Sequence, residues 1–318
     1  MAAAPGRIPV VVLGGRDPRT AALPDGAEDL HALAGYKGVA VRIGGRALID
    51  WVVERLAQSG EFAPIYIAGP ESIYDAQRRC ATLVDVTGGI DETLRAGVEA
   101  VRQAHPGAPM AFTTCDVLPE QGALARLMSA YRAAWPCDGF LPMIRAPRER
   151  AALGASAYKP TYQVVPETGA AAVRVLPCHL VVTDAEALRT GFIYRVVRLI
   201  YRTRNRPIRY RRGVMLRGIL FELLYQDLRQ LLRLRVPDVT FGVLRAGLPA
   251  VEALAAGTLT RAHLEEAVRR IFVRTRHRRR YPERRVVMPV VDELSLALDI
   301  DTEEEAEERG AELPPASP

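Results

Sequence analysis

Between Ile8 and Ala134, short apolar runs alternate with longer stretches of helical period, which limits the chain to few folds. Ile8-Pro9-Val10-Val11-Val12-Leu13 is apolar throughout and is closed by Gly14-Gly15, the pattern of a strand covered on both faces. Leu48, Ile49, Val52, Val53 and Leu56 then recur at helical spacing up to Ser59-Gly60, a helix stop. Residues 65–69 and 82–86 predict two more strands, 91–103 a helix, 110–114 a strand and 123–134 the helix after it. Such alternation builds an α/β fold, a mostly parallel Rossmann-like sheet flanked by helices.

Beyond residue 190 the pattern changes. Residues 192–201, 216–234 and 260–273 read as helices, the second with Ile219, Leu220, Leu223, Leu224, Leu228, Leu231 and Leu232 on one broad stripe. Only 240–244 looks strand-like here, and strand character returns at 286–291. The expected organisation is a core over 1–189, a helical Arg-rich insertion over 190–285, a return to the core over 286–310 and a disordered tail over 311–318.

Of the 318 residues, 49% are hydrophobic and 25% charged, which excludes a disordered or collagen-like chain. Lys plus Arg exceeds Asp plus Glu by 43 to 37, a net charge of +6 that favours an anionic partner. Cys80, Cys115, Cys137 and Cys178 form no CxxC pair, and the five histidines show no zinc spacing. With no secretory apolar segment before Arg7 and no apolar run near the ~18 residues of a membrane span, the expectation is a cytoplasmic chain with reduced thiols.

Several residues could carry chemistry. The Gly14-Gly15 turn after a buried strand lets backbone amides approach a phosphate, although it matches neither the dinucleotide fingerprint nor the Walker loop. Lys37, one of very few lysines in an arginine-dominated chain, suits neutralisation of a triphosphate, or is a solvated surface amine. Asp116 follows a buried strand, where ligands of open α/β sheets bind and where a carboxylate can hold Mg²⁺; a helix cap is the alternative. In an extended segment Asp299 and Asp301 face one side and Ile300 the other, so either could complete a magnesium site, or Asp301 or Thr302 could cap an acidic helix from Glu303. Ser156, in Gly154-Ala155-Ser156-Ala157-Tyr158, lacks the closing glycine and the preceding strand of a nucleophile elbow.

Tyr194, Arg195, Arg198, Tyr201, Arg202, Arg204, Arg206, Arg209, Tyr210, Arg211 and Arg212 interleave aromatics with cations, and Arg274 to Arg280 with Arg284 and Arg285 form a second basic cluster. These suit a solvated or acceptor-facing patch, or an anionic membrane surface. No nucleic-acid-binding motif accompanies them.

In order, these pieces resemble the MobA-like nucleotidyltransferase (NTP transferase) family, which has a GT-A-type fold. The resemblance rests on Val10-Val11-Val12-Leu13-Gly14-Gly15, on Lys37 ahead of Val41-Arg42-Ile43-Gly44-Gly45-Arg46-Ala47-Leu48-Ile49, on Thr114-Cys115-Asp116-Val117-Leu118-Pro119 and on Asp299-Ile300-Asp301-Thr302-Glu303-Glu304-Glu305. It implies Mg²⁺-dependent transfer of a nucleotidyl group from an NTP to a phosphate-type acceptor, releasing pyrophosphate. It further implies that Leu13, Gly14, Gly15, Arg16, Arg19 and Lys37 contact the nucleotide, that Lys37 and Asp116 act in catalysis, and that Asp116, with Asp299 or Asp301, holds the metal. The glycine loop lacks the family's later glycine, and Pro177-Cys178-His179-Leu180 stands where many relatives carry Gly-Gly-Asn. A relative that binds nucleotide without chemistry, and an adaptor for anionic surfaces, are the alternatives.

Overall fold

The computed structural model describes residues 4–17, 20, 23, 30–167, 169–203 and 239–312, with single positions between 217 and 232. Its strands are β1 (Ile8–Leu13), β2 (Arg42–Ile43), β3 (Arg46–Ala47), β4 (Phe62–Gly69), β5 (Thr82–Asp85), β6 (Met110–Thr114) and β7 (Cys137–Phe140). After these come β8 (Met143–Arg145), β9 (Tyr162–Val164), β10 (Val173–Pro177), β11 (Val181–Thr183), β12 (Arg285–Val287) and β13 (Val290–Val291). Seven strands form the central sheet in the order β12-β7-β11-β6-β1-β4-β5. All run parallel except β11, which is antiparallel to both β6 and β7. This is the α/β sheet expected from the alternating pattern.

β1 lies at the centre because it can bury both faces. Val10 and Val12 face one core with Leu48, Ile49 and Val52 of the helix Leu48–Gln58 and with Leu124 and Leu127 of Ala123–Ala134. Val11 faces the opposite core with Val98 and Val101 of the helix Ile90–Ala104 and with Tyr194. All three valines are fully buried, each worth about 1.5–3 kcal/mol. A smaller sheet, β13-β8-β10-β9, flanks the main one, and the helix Thr190–Thr203 packs beside Ile90–Ala104.

Two local expectations are corrected. Residues 240–244 belong to the helix Val239–Ala255: their β-branched and aromatic side chains favour a strand locally, but Val243 is buried with Phe192 and Leu223 in a helical packing. Val39 to Ile43, between Lys37 and the Gly44-Gly45 turn, reads as strand-like in sequence but does not form one strand. Lys37–Ala40 is a helical turn, closed by Val41 N–H donating to Lys37 O, and only Arg42–Ile43 pairs with β3. The tight Gly44-Gly45 turn, with both φ positive, makes that hairpin possible. Of the helix expected over 216–234, positions 217–218, 221, 223–225, 227–228 and 231 are helical, Leu232 is in a turn, and the others lie outside the described residues. Thr260 caps the helix Arg261–Phe272 by accepting from His263 N–H. No helix among the described residues is long and apolar enough to cross a membrane.

Candidate active site

β1 and β6 are parallel neighbours, with Leu13 opposite Thr114, and the chain order reverses between them. Loops leaving the carboxyl ends of such strands splay apart and leave a crevice. Leu13, Gly15, Arg16, Asp17, Lys37 and Asp116 line that crevice, as does Ile90 at the start of the helix Ile90–Ala104.

Lys37 sits at its centre, only 4% exposed. Its Nζ lies 2.7 Å from Asp116 Oδ2, 2.5 Å from Asp301 Oδ1 and 3.3 Å from Asp17 Oδ2, and also donates to the carbonyl of Ile300 at 3.3 Å. Burial alone would lower the lysine's affinity for its proton, but Asp116, Asp301 and Asp17 reverse that and hold it firmly charged. Burial likewise works against the Asp116 carboxylate, and the ammonium of Lys37 prevails and keeps its pKa below the usual range. At Asp301, burial and the neighbouring Asp299 outweigh the two lysines and push the pKa up to about 6.

Carboxylate oxygens of Asp17, Asp116 and Asp301 lie within 4.8 Å of one another. One ammonium against three carboxylates leaves surplus negative charge. A set of hard oxygen donors is also what Mg²⁺ takes, so these residues fit a divalent cation.

The return segment supplies Asp301. Ile300 is buried in the core, so Asp299 and Asp301 turn away from it, as alternation predicts. They do not share one partner, however. Asp299 is held by Lys159, 2.6 Å from its Oδ1, with His179 3.6 Å away, and these two neighbours overcome the effect of burial to keep its pKa low. Asp299 therefore stands apart from the converging trio, and Asp17 takes the place expected for it.

Lys159 also pairs with Glu305 at 3.0 Å. Glu305, itself 3% exposed, accepts from the backbone N–H groups of Asp301 and Thr302 at 2.6 and 3.1 Å and from the Ser156 hydroxyl. Thr302 caps the helix Glu303–Ala311 reciprocally by accepting from Glu305 N–H. The cap expected of this segment therefore exists at Thr302, and it fixes Asp301 beside Lys37. Ser156 is committed to Glu305.

Gly14 does not face the crevice. It is buried, with its carbonyl accepting from the Tyr74 hydroxyl at 3.0 Å, and a Cβ there would lie 2.7 Å from the tyrosine ring. It is a packing glycine behind the loop, whereas Gly15 lines the crevice. Arg19 lies outside the described residues, as do Arg204, Arg206, Arg209, Tyr210, Arg211 and Arg212. In the second basic cluster Arg284 pairs with Asp184, and His277 with Arg269 meets the fully buried Asp138, tying the helices to the sheet.

Sequence reasoning gave no role to Asp17, Lys159, Glu305 or the Gly88-Gly89 turn that opens the helix at Ile90. A signal for Lys159 was present. The chain holds only two lysines, Lys37 and Lys159, and both are buried here. Arginine serves elsewhere, so a compact ammonium is kept for two crowded carboxylate clusters.

No protein-family model matches the sequence, and no curated protein matches it. Among solved structures, a hypothetical transferase from Thermus thermophilus is similar over 94% of this chain and 99% of its own, at 18% identity and a TM-score of 0.53. The 4-diphosphocytidyl-2C-methyl-D-erythritol synthase of Anaerococcus prevotii aligns over 96% of this chain and 98% of its own, at 9% identity and a TM-score of 0.44. The first of these likenesses shows a shared α/β fold.

Proposed function

We propose that this chain is a Mg²⁺-dependent nucleotidyltransferase, moving a nucleotidyl group from an NTP to a phosphate-type acceptor with release of pyrophosphate. The observation that carries the reading is the convergence of Asp17, Asp116 and Asp301 on one buried ammonium at the tips of β1 and β6. The similar Thermus fold belongs to a protein described as a transferase, which agrees with it.

In this reading Asp17, Asp116 and Asp301 hold the cation, which supplies charge neutralisation at the phosphates when bound. Lys37 keeps the carboxylates in place and offers positive charge to the triphosphate. Gly15 brings backbone close to the phosphates, and the N-terminal turn at Ile90 adds the favourable end of a helix dipole. Glu305 and Lys159 fix the return segment, so the charges are aligned before substrate arrives. An acceptor phosphate is already ionised near neutral pH, so its oxygen needs no general base to attack the α-phosphorus.

The test is pyrophosphate release with each of the four NTPs, Mg²⁺ and a panel of phosphate acceptors, for wild type, Lys37→Ala and Asp116→Ala. Release by wild type alone supports the reading; no release with any NTP overturns it and leaves nucleotide binding without chemistry, to be read by calorimetry.

A contact with anionic membrane surfaces is a second reading, favoured by one observation. Phe221, Leu232 and Phe241 are 70–76% exposed, and the sequence around them is rich in arginine. Large apolar side chains next to cations suit the boundary between headgroups and acyl chains.

A further inference from the structure

A cavity of about 410 Å³ lies between the sheet and three helices, next to the carboxylate cluster. Leu94 and Val98 of Ile90–Ala104 form one wall, Ile193 and Val197 of Thr190–Thr203 another, and Phe272 of Arg261–Phe272 a third. Phe112 of β6 and Val181 of β11 lie on the sheet side. The volume is in the range of sites that enclose small organic ligands.

Two features decide what could occupy it. The lining is almost entirely carbon, so a nucleobase or sugar placed there would leave polar edges without partners. The cavity also adjoins the crevice: Leu13, Ile90, Thr114 and Tyr201 line both. A molecule spanning the two would have a charged head beside Lys37, Asp17 and Asp116 and an apolar tail under the helix Thr190–Thr203.

We infer that the acceptor is a monophosphate carried on a hydrocarbon chain, whose tail fills this cavity while its phosphate enters the crevice. The inference rests on the transferase reading and names its substrate class. In the reaction, a phosphate oxygen of the lipid-type acceptor forms a bond to the α-phosphorus. The bond from that phosphorus to the α,β-bridging oxygen breaks, and pyrophosphate departs with the electron pair. The product is an alkyl chain joined through a diphosphate to the nucleoside, with no oxidant or further reactant needed.

The experiment measures binding of butyl, hexyl, octyl and decyl monophosphates, below their micellar concentrations, by calorimetry on the full chain with Mg²⁺ and no NTP. Each methylene buried contributes about 0.8 kcal/mol, so affinity should rise about fourfold per added carbon until the cavity is full. Val197→Trp and Ile193→Trp, which fill the space, should cut decyl phosphate binding at least tenfold and leave butyl phosphate within twofold. Affinity independent of chain length in wild type would overturn the inference without any variant having to fold. Pyrophosphate release with short hydrophilic phosphates but no chain-length gradient would overturn it while sparing the transferase reading. A gradient with no pyrophosphate release from any NTP would overturn both the transferase reading and the acceptor role, leaving an apolar-tail binding site.

Discussion

Ile300 donates its backbone N–H to the carbonyl oxygen of Asp116 over 2.8 Å, joining the return segment to the tip of β6. That one bond brings Asp301 and Asp116 to the same ammonium, although they are far apart in sequence. The cluster is therefore a product of chain topology, and its members should respond to substitution as a unit.

Replacing Lys37 by Met leaves Asp17, Asp116 and Asp301 facing one another without a counter-charge. Breaking a buried ion cluster on one side costs about 3–5 kcal/mol. Urea unfolding should show that loss in chelator-treated protein, with part of it recovered on adding Mg²⁺. Unfolding free energies equal to wild type in both conditions would contradict the assignment of Lys37 as the cluster's counter-ion.

Magnesium should raise the melting temperature of the wild-type protein, and chelation should lower it again. A ligand at a hundred times its dissociation constant adds about 2.7 kcal/mol. Asp116→Asn and Asp301→Asn should lose the response, whereas Asp299→Asn should keep it because Asp299 belongs to Lys159. A response lost only in Asp299→Asn would put the cation in the wrong cluster.

Lys159→Met should destabilise the protein by about 3–5 kcal/mol, since Asp299 and Glu305 would both stay buried without their cation. Removal of the Glu305 charge in the same molecule should recover part of the loss. A purely additive double mutant would show that the two do not interact.

The acid limb of stability should contain a contribution from Glu304. The side-chain hydrogen bond from His31, then its backbone N–H, hold this carboxyl down at about 2, against an ordinary value of 4.5. A depressed folded-state pKa stabilises above the unfolded value, so the contribution is complete above pH 4.5 and is lost as pH falls through about 2. Glu304→Gln should flatten the pH dependence in that window and lower stability at pH 7 by the contribution it removes, so that the variant and wild type converge in acid; an unaltered acid limb would refute it.

If the basic helices meet anionic membranes, co-sedimentation with phosphatidylserine vesicles should fall steeply between 50 mM and 500 mM salt. Phe241→Ser should weaken what remains at high salt. Binding that is absent, or indifferent to salt, would dismiss that contact.

The sheet was legible because the chain writes it in local pattern: β1, β6 and the helix Ala123–Ala134 fall where apolar runs and helical period place them. Lys37, Asp116 and Asp301 were legible as candidates for a similar reason, each sitting next to a recognisable strand or cap. What the sequence could not show was which aspartate met which lysine. Asp299 and Asp301 differ by two residues and are chemically the same, and only the packing of Lys159 behind the return segment separates their fates. The short strands from β7 to β11 were missed because three or four residues carry too little periodicity. Gly14 was misread since a glycine freed for a ligand and a glycine crowded by Tyr74 look identical in one dimension.

With just two lysines in the chain, each sealed into its own carboxylate cluster on either side of the return segment, no side-chain primary amine lies open to bulk reagents. Acylating probes would therefore label those side chains only when the clusters breathe, and the rate of amine modification becomes a clock for the opening of the site itself.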